Sequence, residues 1–114
     1  MEIDSMAEQA RSVRRRFVDF EQRRYGRSWT AEEVMLGFVG DVGDLAKLVQ
    51  GKAGVRLTDD LETKLAHELA DCLWAVLTLA DIYAVDLEAA FGSTMTELHH
   101  WLDQAEDDSP ADPA

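Results

Sequence analysis

Two stretches decide the fold: Phe38-Val39-Gly40-Asp41-Val42-Gly43-Asp44-Leu45-Ala46-Lys47 and Leu65-Ala66-His67-Glu68-Leu69-Ala70-Asp71-Cys72-Leu73-Trp74. In each, two acids stand three residues apart, so on a helix they share one face, a turn above each other. Apolar residues flank both pairs, and a charge there is costly unless something binds it. Between Asp44 and Glu68 lie 23 residues, enough for a helix end, a loop and a return. The pairs would then face each other across an antiparallel hairpin. Four carboxylates on two facing helices form a cage suited to a hard divalent cation.

Working outward, the pattern stays helical, with no run of alternating β-branched residues. A first helix is expected from about Met6 to Tyr25, opened by a Ser5/Glu8 capping box and stopped by Gly26. Thr30 with Glu33 repeats the capping signal and opens a second helix from about Ala31 to Lys52. Its Gly37, Gly40 and Gly43 form a small-residue seam beside the acids, for close helix contact or for room beside a ligand. Thr58-Asp59-Asp60 starts a third helix, about Asp59 to Tyr83, apolar enough to be buried on several sides. Asp86 caps a fourth, about Leu87 to Gln104. The expected architecture is all-α, a four-helix bundle whose third helix associates with a second copy. Residues 1–105 form a single domain, and the acidic, proline-bearing stretch 106–114 is expected to be disordered.

Composition narrows the function classes. A net charge of −12 argues against a nucleic-acid binder, which needs a basic footprint. Seven arginines fall within the first 27 residues, and nothing after Lys64 is Lys or Arg. Acids interrupt every apolar run, so no membrane span is expected, and the acidic start lacks a signal-peptide core. The lone Cys72 sits in an apolar stretch and reads as a structural thiol. These features point to the cytoplasm.

Carboxylates without accompanying histidines favour Mg²⁺, or Mn²⁺, over zinc. His67 reads as a neighbour of the acids, because the second histidine of a zinc-protease pattern is missing. A magnesium site of this kind holds phosphate oxygens and activates water. The residues themselves lead to metal-assisted phosphoanhydride hydrolysis and do not choose a substrate.

The two acidic motifs together resemble the MazG-like, all-α nucleoside triphosphate pyrophosphohydrolases, whose signature is Glu-x-x-Glu on one helix and Glu-x-x-Asp on the next. The similarity covers roughly residues 17 to 102. The stretch from Phe38 to Lys52, with a glycine before the first acid, is most similar to the dCTP pyrophosphatase branch. The resemblance implies cleavage of a (d)NTP to the monophosphate and pyrophosphate, with Mg²⁺ on Asp41, Asp44, Glu68 and Asp71. It further implies a homodimer or homotetramer, Tyr25 and Trp29 near the base, and Lys52 near phosphate. The chain departs from the family where Asp41 and Asp44 replace glutamates, each arm one methylene shorter. Thr94 and Leu98 stand where the family has lysine and asparagine. The alternative is a catalytically weakened member acting as a nucleotide- or protein-binding module.

Overall fold

The expected helices form, in the expected order, and the protein is all-α. A computed structural model describes residues 1–108, with α1 over Ile3–Tyr25, α2 over Ala31–Lys52, α3 over Leu61–Ile82 and α4 over Leu87–Asp108. None of these helices is long and apolar enough to cross a membrane. The chain falls into two compact units, the first spanning Met1–Ala84 and the second beginning at Val85.

Local chemistry accounts for the boundaries. Gly26 stops α1 in the left-handed conformation, φ 76°, its N–H donating to the Gln22 carbonyl. The Thr30 hydroxyl accepts from the Glu33 N–H at 3.2 Å, while Glu33 Oε1 accepts from the Thr30 N–H at 3.1 Å. This is the reciprocal capping box expected for α2. Asp86 opens α4 by accepting from the Ala89 N–H at 3.1 Å.

Three boundaries differ from expectation. Helix α1 begins at Ile3 with Glu2 as its N-cap residue, so Ser5 lies inside the helix rather than capping it. Glu8 has stronger partners than a backbone amide, Arg11 at 2.7 Å and Arg15 at 3.7 Å. Helix α3 starts two residues later than expected, because Asp60 takes a left-handed conformation, φ 52°, and makes no side-chain cap. Helix α4 runs on to Asp108, so Glu106, Asp107 and Asp108 of the expected disordered stretch are helical. The rest of that stretch, 109–114, lies outside the described residues.

Within the first unit, α3 packs against both α1 and α2. It runs antiparallel to α2: the space beside Gly51 is filled by Leu61 and Thr58, while Asp41 and Asp44 meet Glu68. It also runs antiparallel to α1, with Arg11 at 3.3 Å from Asp81 and Phe17 edge-on to Trp74 at 5.9 Å. The buried core is small: Ala10, Val34, Leu48, Ala75, Leu77 and Thr78. Contrary to the expected burial of α3 on several sides, Leu69 and Leu73 are 52% and 41% exposed, since α1 and α2 leave that side uncovered. Gly37 alone of the glycine seam meets a neighbour, and Gly40 and Gly43 face open space.

Candidate metal centre

Helical spacing and the antiparallel hairpin together bring the acids into one place. Asp41 and Asp44 stand a turn apart on α2, opposite Glu68 on α3. Each of the three offers an oxygen, and those oxygens lie within 4.8 Å of one another. Asp71, the fourth expected ligand, is outside this group of three and instead lies 3.1 Å from His67 Nε2. The fourth acid therefore sits beside the group, next to the His67 imidazole.

The electrostatics show what this arrangement costs. Burial, and then the charges of Asp71 and Asp44, push the Asp41 carboxyl above its ordinary value, with His67 working the other way. Glu68 is raised for the same reasons, burial first and then Asp41, Asp71 and Asp44. Its Oε2 is buried with no hydrogen-bond partner. A buried, unpartnered carboxylate oxygen among like charges is unfavourable by itself, and a cation relieves both the repulsion and the missing bond. An all-oxygen donor set fits Mg²⁺ or Mn²⁺. Nearby, burial and the carboxylates raise the Cys72 thiol, which keeps it protonated and inert.

Two concave regions flank the acids along the hairpin. Toward the α2–α3 loop lies an open cleft of about 480 Å³, lined among others by Asp44, Lys47, Arg56, Lys64, His67 and Glu68. In the opposite direction, Val34 and Trp74 join Arg14, Phe17, Glu21 and Trp29 around a pocket of about 160 Å³. Inside this second pocket's walls, Arg14 Nη1 and Trp74 Nε1 are buried without partners. Trp29 is fixed there by its backbone: its N–H donates to Glu21 Oε1 at 2.9 Å and its carbonyl accepts from Arg14 Nη2 at 3.3 Å.

The remaining expected residues are placed apart. Tyr25, 66% exposed, lines a shallow surface hollow with Arg27 and Trp29. Lys52 forms an ion pair with Glu62 and does not line the cleft beside the acids. The sequence reading missed Lys47, Arg56 and Lys64 at the cleft, and Phe17, Arg14 and Trp74 at the aromatic pocket. The signal for Lys47 and Lys64 was their place one turn from Asp44 and Glu68.

The site thus belongs to an all-α protein whose helical hairpin gathers carboxylates between a cationic cleft and an aromatic pocket. The chain belongs to the MazG nucleotide pyrophosphohydrolase domain family, whose model matches residues 29–101. That match begins at Trp29, takes in both acidic pairs and ends at Trp101 within α4. No curated protein and no solved structure gives a significant match.

Proposed function

We propose that this protein is a metal-dependent nucleotide pyrophosphohydrolase that converts a (d)NTP and water to the (d)NMP and pyrophosphate by attack at the α-phosphate. The observation that carries this reading is the convergence of Asp41, Asp44 and Glu68, with Glu68 Oε2 buried and unpartnered. Asp41, Asp44, Glu68 and Asp71 hold Mg²⁺, for which Mn²⁺ can substitute. When bound, the ion neutralises phosphoryl oxygens and makes a bound water more acidic. A carboxylate oxygen of this group that the ion leaves free accepts the proton of the attacking water. The water oxygen bonds to the α-phosphorus as the bond to the α–β bridging oxygen breaks, and that oxygen leaves with pyrophosphate.

The aromatic pocket of Phe17, Trp29 and Trp74 takes the base, and Arg14 Nη1 and Trp74 Nε1 supply donors. A pyrimidine base is the reading that the resemblance of Phe38 to Lys52 to the dCTP pyrophosphatase branch supports. Residues 1–105 act as one domain, a reading supported by a family match that runs past Ala84 into α4. A homodimer or homotetramer is supported by the exposed apolar side chains Phe17, Phe20, Val39, Leu69 and Leu73.

The test is pyrophosphate release from a panel of (d)NTPs with Mg²⁺ or Mn²⁺, run in ¹⁸O-labelled water. The expected product is labelled monophosphate and unlabelled pyrophosphate, lost in Glu68→Gln. No release from any nucleotide by the folded protein sinks the proposal. Asp71's engagement with His67 favours the weakened-binder alternative, which calorimetry would reveal as nucleotide binding without turnover.

A further inference from the structure

Only four cationic residues, Lys47, Lys52, Arg56 and Lys64, follow Arg27 in a chain of net charge −12. Three of them line one cleft, and that cleft ends on Asp44 and Glu68. The fourth, Lys52, is held by Glu62. The three come from three different elements: Lys47 from α2, Arg56 from the α2–α3 loop and Lys64 from α3.

Lys47 is one turn beyond Asp44, and Lys64 is one turn before Glu68. Both spacings invite an ion pair within the helix, yet neither lysine ammonium nor the Arg56 guanidinium is hydrogen-bonded or ion-paired to any described residue. Elsewhere Arg11 pairs with Glu8 and Asp81 and Arg27 with Glu33, while Arg16 and Arg23, also without ion pairs to described residues, line a hollow with Val13, Phe17 and Phe20 that holds no acid. Thr58 and Thr63 add hydroxyl groups to the same cleft. An unneutralised group of three cations, at one turn's remove from a carboxylate centre, matches an anion of several charges whose near end reaches that centre.

We infer that Lys47, Arg56 and Lys64 form the subsite for the terminal phosphates of the nucleotide and retain the pyrophosphate that leaves. This rests on reading the acids as the phosphate-cleaving centre, and it assigns a direction to the ligand. The base lies in the aromatic pocket at one end, the α-phosphate at the acids, and the β- and γ-phosphates in the cleft. The cations stabilise negative charge left on the departing oxygen as the α–β bond breaks. They also select triphosphates over monophosphates, because a monophosphate has nothing to place in the cleft.

Calorimetry with inorganic pyrophosphate in the presence of MgCl₂ tests the assignment on the full chain. The single variants Lys47→Gln, Arg56→Gln and Lys64→Gln keep most of each stem, and each is expected to weaken pyrophosphate binding by roughly tenfold. The triple variant is expected to lose about a hundredfold or more, whereas Lys52→Gln stays within about twofold of the parent. Mg²⁺ affinity without phosphate should not weaken in the triple variant, and affinity for a nucleoside monophosphate should change little. Pyrophosphate binding unchanged in the triple variant, or weakened equally by Lys52→Gln, overturns the inference. So does a parent protein that binds no pyrophosphate. Hydrolysis with a triple-insensitive pyrophosphate site would remove the subsite and leave the enzyme reading. A triple-sensitive site without hydrolysis would keep the subsite and remove the enzyme reading.

Discussion

Asp41 on α2 and Glu68 on α3 point carboxylate oxygens to within 4.8 Å of each other across the hairpin, and both are raised above their ordinary carboxyl values. Such a contact is unfavourable until a cation joins it, so stability and metal binding are opposed through the same atoms. Glu68→Gln is expected to stabilise the metal-free protein, on the order of 1 kcal/mol, by removing a buried charge without a partner. Mg²⁺ should raise the parent's Tm, by about 2.7 kcal/mol of added stability at a hundredfold excess over Kd. Glu68→Gln and Asp41→Asn should lose most of that rise. Thermal melts with and without MgCl₂ measure both effects. A parent Tm indifferent to Mg²⁺ and Mn²⁺ would remove the metal from the mechanism.

The short acids of the first pair also carry a prediction. With aspartate arms the three oxygens already converge, and Gly40 and Gly43 leave open space beside α2 rather than forcing it away. Mg²⁺ demands a near-ideal octahedron and tolerates little misplacement. Asp41→Glu with Asp44→Glu therefore overshoots the centre. Catalytic rate should fall, roughly a hundredfold for a displacement near 1 Å. A double variant faster than the parent would show that the aspartates are a handicap.

Much of this was legible from spacing alone. Helices announce themselves by apolar recurrence and by caps such as Thr30/Glu33 and Gly26, and counting residues puts Asp41 and Asp44 opposite Glu68, though not Asp71 beside His67. The coverage of α3 was not legible. Apolar content shows that Leu69 and Leu73 want burial but not whether the same chain supplies the cover. Ser5 misled because the capping pattern ignores competition, and Glu8 has arginines within reach. The cationic cleft stayed hidden because Arg56 comes from a loop whose path no periodicity encodes. Trp74 closes the second acidic stretch with no role of its own in the sequence, and only the fold brings it beside Phe17 and Trp29.

The start of α2 should be acid-labile. Arg27 grips Glu33 with two hydrogen bonds, 2.7 and 2.8 Å, and the Thr30 backbone adds a third. Hydrogen bonding by Arg27, then by the Thr30 backbone, lowers the Glu33 carboxyl from 4.5 to about 2. A depressed carboxyl stabilises the fold above its unfolded value and loses that contribution as pH falls toward the folded one. The stabilising effect of Glu33 is thus complete above about pH 5 and gone near pH 2. Glu33→Gln should lower the Tm at neutral pH and converge with the parent in acid. Thr30→Ala should cost about 1 kcal/mol at either pH, since its hydroxyl does not titrate. Melts of both variants across that range decide the matter, and a Glu33→Gln deficit that persisted unchanged at pH 2 would contradict it.

Gly37 and Trp29 connect the helix seam to the aromatic pocket. A Cβ placed on Gly37 would come within 3.3 Å of Trp29 Cζ3, tighter than an ordinary contact, while one on Gly40 would meet nothing. If Trp29 stacks on the base, Gly37→Ala displaces a binding wall, and Gly40→Ala adds only helix propensity. Trp29→Ala should raise KM by roughly tenfold or more, the scale of one lost base–aromatic stack, with a smaller effect on kcat. Gly37→Ala should raise KM in the same direction, by a few-fold. Gly40→Ala should leave KM alone and stabilise the protein by up to about 1 kcal/mol, as glycine leaves the helix interior. Steady-state kinetics on the best nucleotide, paired with denaturant melts, separates the two glycines. Equal KM values for Gly37→Ala, Trp29→Ala and the parent would take the base out of this pocket.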